Sequence, residues 1–181
     1  MIIRHLTAAD FRSSTWSGGT TTELYLHPEH GSYAARDFLF RISSATVDLE
    51  ESDFTPLQGV ERYITPLEGG FTLTHPGKAP VVLGPLAAPY RFSGEEPTHC
   101  VGTATDFNLM LKGVSGEMGL ATGCTLIRPG LNAFYAPESR SFTVAQQVYA
   151  LEAGQMLVIF ADGAGEIDLG QGQTLVCYAA I

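Results

Sequence analysis

Apolar and polar residues alternate in short bursts along the chain, and glycine or proline interrupts each burst before it can build a long helix. The clearest burst is Phe38-Leu39-Phe40-Arg41-Ile42-Ser43-Ser44-Ala45. Successive side chains of a strand point to opposite faces, so Phe38, Phe40 and Ile42 share one face and Leu39, Arg41, Ser43 and Ala45 the other. An acidic turn (Glu50 to Asp53) and the breakers Pro56 and Gly59 follow, and then a second apolar run carries Arg62. Glu68-Gly69-Gly70 predicts a hairpin joining Arg62–Leu67 to Phe71–Thr74, and Pro66 predicts an edge or a bulge in the first of these strands. Strand, rigid loop, strand, tight turn, strand is the pattern of a small antiparallel barrel.

The remaining bursts are also strand-sized. Met1–Leu6 opens the chain as a strand, and Thr7 caps a helix of only a turn or two. Trp16 to Gly19 reads as a tight turn leading into Thr20–Leu26, with Thr20, Thr22, Leu24 and Leu26 expected on one face. Short strands are expected around Val81–Leu83, Tyr90–Phe92, Phe107–Leu111, Met118–Leu120, Phe134–Tyr135, Ser141–Ala145, Val148–Leu151, Met156–Phe160 and Thr174–Tyr178. Such spacing supports a sandwich or barrel.

Composition narrows the function classes. With 45% hydrophobic and 16% charged residues the chain is globular, and 181 residues suffice for one large domain or two small ones. A formal net charge of -9, with the basic residues scattered, disfavours nucleic-acid binding. Cys100, Cys124 and Cys177 are odd in number and form no CxxC, which points to buried thiols in a reducing compartment. No run reaches the roughly 20 apolar residues of a membrane span, and the start of the chain lacks a leader-like pattern. The expected location is therefore the cytoplasm.

The candidate chemistry is mostly that of binding. Divalent metals need convergent nitrogen and oxygen donors, but the histidines (His5, His27, His30, His75 and His99) form no His-x-His pair, so no metal or other cofactor is expected. No G-x-S-x-G elbow and no phosphate loop with a Walker lysine is present. What remains suits a small anion. Arg41 and Arg62 each either lie on a solvated outer face or project into a barrel mouth, where a guanidinium binds a carboxylate bidentately. Backbone amides of the Ser17-Gly18-Gly19 turn would add donors, and hydroxyls of Ser43, Thr20 and Thr22 would orient a second group. Trp16 is either an apolar wall or an ordinary core or surface tryptophan. Asp106 and Asn108 either contact ligand or pin the junction of the halves.

Several segments together resemble the HutD/Ves family of bacterial bicupins. Phe38 to Ala45 is similar to the family's Phe-x-Trp-Arg-x-Ser-x-Ala strand, with Phe40 in place of tryptophan. Phe54-Thr55-Pro56-Leu57-Gln58-Gly59-Val60-Glu61-Arg62 and Leu67-Glu68-Gly69-Gly70 follow in family order. Trp16 to Leu24 resembles its Trp-x-Asn-Gly-Gly-Gly-x-Thr-x-Glu segment in shortened form, with Ser17 near the asparagine. Thr105 to Met110 resembles its Asp-Phe-Asn-x-Met signature.

The resemblance implies an all-β bicupin: two antiparallel barrel or jelly-roll halves in one unit with very little helix, with the division between halves placed near Cys100 to Thr105, giving 1–100 and 101–181. It implies a small carboxylate partner, such as N-formylglutamate or urocanate, and a regulatory role in histidine degradation. Arg62 and Arg41 are the residues it points to first, with Ser17 and Thr22 nearby, and a homodimer is compatible with it. No catalytic residue is assigned. Two other functions stay open: a metal-free isomerase or hydrolase using Glu23 or Asp106 as general base, and a stress-related interaction module with a vestigial pocket.

Overall fold

The computed structural model describes residues Met1–Ile181, and its regular structure is almost entirely strand. In chain order the first strands are β1 (Ile2–Leu6), β2 (Arg12–Trp16), β3 (Gly19–His27), β4 (Phe40–Val47), β5 (Glu51–Asp53), β6 (Val60–Gly69), β7 (Phe71–Thr74), β8 (Val81–Leu83), β9 (Tyr90–Ser93), β10 (His99–Val101) and β11 (Ala104–Lys112). The remainder are β12 (Gly116–Ala121), β13 (Cys124–Ile127), β14 (Gly130–Tyr135), β15 (Arg140–Val144), β16 (Gln147–Leu151), β17 (Met156–Ala161), β18 (Gly165–Asp168) and β19 (Thr174–Ala179). The one helical segment is the 3-10 turn Ala8–Asp10, where the Thr7 backbone N–H donates to Asp10 Oδ2 at 2.9 Å. The all-β expectation holds.

The chain forms two compact units, Arg12–Gly113 and a second made of Met1–Phe11 with Val114–Ile181. The expected division near Cys100 to Thr105 is thus displaced. β11 lies inside the first unit, hydrogen-bonded to β4 on one side and β6 on the other. The chain crosses between two sheets of that unit at Gly102, from β10 to β11. β1 belongs to the second unit because it pairs with β17, a partner near the far end of the chain that local sequence does not disclose.

Unit Arg12–Gly113 has a six-stranded sheet, order β2-β3-β4-β11-β6-β9, and a four-stranded sheet, order β5-β10-β7-β8. The predicted hairpin at Glu68-Gly69-Gly70 is a corner instead: β6 pairs with β11 and β9, whereas β7 pairs with β10 and β8. Gly69 has φ 72°, and a Cβ there would collide with the Thr103 carbonyl oxygen, so the corner requires glycine. Pro66 does sit at a bulge, where the β6–β11 register shifts opposite Thr105 and Asp106. It also lies past the end of the β9 pairing, so its missing N–H interrupts no ladder on that side.

The other unit has a five-stranded sheet, order β1-β17-β14-β19-β12, and a four-stranded sheet, order β13-β18-β15-β16. Its interior holds an apolar cluster, beside which a cavity of about 370 Å³ is lined by Thr125, Arg128, Asn132, Val176 and Tyr178. Phe134, Leu157 and Ile159 of the first sheet pack with Ile127, Phe142, Val144, Leu151 and Ile167 of the second. Burying side chains of this size contributes about 1.5–3 kcal/mol each before conformational entropy is subtracted. No helix of the chain is long and apolar enough to cross a membrane.

Candidate anion-binding cavity

Unit Arg12–Gly113 keeps part of its interior open. A cavity of about 330 Å³ lies over the concave face of the six-stranded sheet. Strand register explains its lining, because residues directly opposite in an antiparallel pair share a face. One rung runs Leu26, Arg41, Met110, Arg62, Phe92 across β3, β4, β11, β6 and β9. The next runs Glu23, Ser43, Asn108, Ile64, Tyr90, and the third Thr21, Ala45, Asp106, Pro66. On the opposite face Phe40, Ile42, Phe107 and Leu109 are fully buried. The alternation that separated Phe40 from Arg41 in the sequence therefore separates core from cavity.

Both arginines face inward and are buried, Arg41 at 4% and Arg62 at 6% exposure. Their surroundings differ. Arg41 Nε donates to Glu23 Oε2 at 2.8 Å, one Nη donates to Ser43 Oγ at 3.0 Å, and the guanidinium lies 4.0 Å from the Tyr33 ring centre. Its charge is compensated inside the protein. Glu23→Gln should lower stability by about 1–2 kcal/mol, since the amide oxygen still accepts the hydrogen bond but the buried cation loses its counter-ion. A lower urea midpoint at unchanged slope is the expected reading.

Arg62 has neither an ion-pair partner nor a hydrogen bond, and its buried Nε is unsatisfied. It is stacked only on aromatic rings, 4.7 Å from the Phe54 centre and 5.2 Å from that of Phe92. Burial pulls its pKa down to about 10, with the charge of Asp106 acting against the fall. Asp106 is buried too, and burial pushes its carboxyl up to about 6, opposed by the Ala45 N–H it accepts at 3.1 Å and by Arg62 and Arg41. Asn108 Oδ1 is buried without a partner. A buried polar group without a partner costs about 1–3 kcal/mol, and this cavity holds two such atoms.

The residues expected at the site divide cleanly. Arg41, Arg62, Ser43, Asp106, Asn108 and Trp16 line the cavity, Trp16 at its rim with 40% exposure. Ser17 does not: it is exposed in the β2–β3 turn, and the turn amides do not line the cavity. Thr22 also points away, its hydroxyl 2.9 Å from Ser13 Oγ on the other face. The cause is a bulge at Leu24, where the β3–β4 register slips between Glu23 and Tyr25. One extra residue reverses the facing of everything beyond it, so Leu26 shares a face with Thr21 and Glu23, and not with Thr20 and Thr22. Sequence reasoning missed Thr21, Tyr33, Phe54 and Met110 as lining residues. Only Met110 carried a readable signal, being two residues beyond Asn108 on the same strand face.

Elsewhere the histidines serve local contacts: His99 Nδ1 lies 2.8 Å from Asp53, and His5 Nε2 2.8 Å from Gln155. No three His, Cys, Asp or Glu side chains converge as a metal site.

Comparison with solved structures gives HutD from Pseudomonas fluorescens SBW25 in a formate condition, at TM-score 0.82 and 22% identity, covering 99% of this chain and 100% of that one. A conserved protein of unknown function from Pseudomonas aeruginosa PAO1 matches at TM-score 0.83 and 22% identity, over 98% and 97% of the two chains. The bacterial pirin YhhW from Escherichia coli, solved in complex with nickel(II), shares the fold at TM-score 0.67 and 9% identity, with 98% of each chain covered. At these identities the likeness is one of fold, and it is the cupin fold. No curated protein matches the sequence. The HutD family model, however, matches residues 8–179, nearly the whole length, and the chain belongs to the HutD family.

Proposed function

We propose that this HutD-family cupin is a non-enzymatic binder of a small carboxylate metabolite, held in the cavity of unit Arg12–Gly113, and that its occupancy regulates histidine catabolism. The observation that carries the reading is Arg62: a buried guanidinium without a counter-ion, facing an open cavity. A carboxylate would receive from it a bidentate pair of charge-assisted bonds, each contributing about 1.5–3 kcal/mol. Asn108 and the unused edge of the Arg41 guanidinium are within the same lining. Together these groups reach the roughly 8 kcal/mol of micromolar affinity. N-formylglutamate and urocanate are the acids that kinship to HutD suggests.

The test is a thermal-shift and calorimetric titration of the purified protein with both acids. Ligand at 100 times its dissociation constant should stabilise the fold by about 2.7 kcal/mol, and no shift with any carboxylate overturns the reading. Trp16→Ala should weaken binding several-fold and leave stability within about 0.5 kcal/mol, because the ring is 40% exposed. An unchanged dissociation constant would remove Trp16 from the site.

A second reading is favoured by one observation. Asp106 titrates near neutrality, the range suited to a general acid or base, whereas Glu23 is committed to Arg41. Turnover of N-formylglutamate or urocanate followed by NMR, abolished in Asp106→Asn with binding retained, would establish an enzyme in place of a binder.

A further inference from the structure

The balance of charges in the cavity leads beyond the choice of a carboxylate. Arg41 is neutralised by Glu23. That leaves one cation, Arg62, and one buried anion, Asp106, sharing the lining without touching. The charged and titratable groups facing Asp106 are Arg62 on β6, Arg41 on β4 and Cys100 on β10, with Asp53 on β5 at the rim. None of them supplies a second free cation. An acid seated on Arg62 would therefore confront the buried Asp106 carboxylate across the cavity, and two carboxylates sharing one such site disfavour each other's ionisation.

We infer that Asp106 takes up one proton from solvent when an acid binds Arg62, and that the cavity consequently selects monocarboxylates bearing a neutral polar group, urocanate among them, over dicarboxylates. Of the two acids named above, this sets N-formylglutamate at a disadvantage. The inference rests on the carboxylate-binding reading above. Asp106 Oδ1 accepts the Ala45 N–H, which leaves Oδ2 to carry the proton and donate it as a hydrogen bond to a neutral acceptor on the ligand. Asn108, next along the same face of β11, presents an unpaired amide oxygen to an N–H or O–H of the ligand. A second carboxylate on the ligand would meet these two groups and no cation.

The experiment is calorimetric titration with butyrate and succinate, which share a carbon-chain length and differ in charge. It is run in two buffers of different ionisation enthalpy and repeated between about pH 5.5 and 8. Wild type should take up close to one proton per butyrate at pH 7.5 and lose affinity by up to about tenfold per pH unit above 6. Succinate should bind at least about tenfold more weakly than butyrate, from like-charge repulsion in the cavity. Asp106→Asn should bind butyrate with no proton uptake and a flat pH profile. Butyrate affinity independent of pH without proton uptake, or succinate binding as tightly as butyrate, overturns this inference and leaves the carboxylate reading standing. Absence of binding by every acid tested, N-formylglutamate and urocanate included, overturns both.

Discussion

Arg62→Met is expected to make the ligand-free protein more stable and to abolish its carboxylate binding. The guanidinium is buried, and the fall of its pKa from 12.5 to about 10 measures the penalty of holding the charge there. A tenfold change in a protonation equilibrium is worth about 1.4 kcal/mol, so that penalty is about 3 kcal/mol. Stacking on Phe54 and Phe92 returns about 1–2 kcal/mol, part of which a methionine thioether recovers against the same rings. The net gain should be about 1–2 kcal/mol. A cation whose folded-state pKa is depressed to about 10 carries the full burial penalty at every pH below that value, so the gain should be largest near pH 5 and shrink as Asp106, whose ionised form Arg62 favours, titrates near 6. Binding should fall at least about a hundredfold, the equivalent of about 3 kcal/mol, because no other unpaired cation faces the cavity. Urea midpoints without ligand and titrations with ligand separate the two effects. A variant less stable than wild type would mean that Arg62 holds the wall together through its aromatic contacts, and the site would lose its main support.

Much of this was legible along the chain. The alternation in Phe38–Ala45 separated Arg41 and Ser43 from Phe40 and Ile42, and the fold keeps that separation as cavity against core. Asp106 and Asn108, two residues apart, were bound to share whichever face Met110 takes. The illegible parts have definite causes. A one-residue bulge at Leu24 exchanged Thr21 for Thr22 at the cavity, and nothing in a Thr-Thr-Thr run marks which parity wins. Gly69 and Gly70 signalled a turn correctly, but whether the chain reverses into a hairpin or passes to another sheet depends on partners distant in sequence. Tyr33 and Phe54 lie in irregular segments, where no period predicts facing.

The two units show what sequence pattern could not rank. Both close two antiparallel sheets over an interior, yet an apolar cluster of Phe134, Phe142, Leu157 and Ile159 dominates one, while Arg41, Arg62, Asp106 and Asn108 line the cavity of the other. Single charged residues within apolar strands read alike whether they end in solvent or in a cavity. The distinction appears only when Glu23 is found on Arg41 and nothing is found on Arg62. An unpaired buried charge lowers stability, and its presence here matches a site shaped for a ligand that completes it.

Asp106→Asn provides the second large effect, and its dependence on pH is specific. The carboxyl is held at about 6 in the folded chain against an ordinary 3.8, with burial as the main cause. A raised folded-state pKa means that the fold favours the protonated form: the contribution is fully present below about pH 3.8 and is lost as pH rises through 6. Above pH 6 the ionised side chain therefore costs the fold about 2–3 kcal/mol, the free-energy equivalent of moving the pKa from 3.8 to about 6. Asparagine keeps the oxygen that accepts the Ala45 N–H at 3.1 Å and never ionises. The variant should match wild type near pH 4, gain on it between about pH 4 and 6, and keep a constant advantage of about 2–3 kcal/mol above that. Chemical denaturation across this range gives the curve directly. A variant that is less stable than wild type at pH 7 and equal to it at pH 4 would show that the ionised carboxylate is a counter-ion for Arg62, and the assignment of Arg62 as an uncompensated cation would then fail.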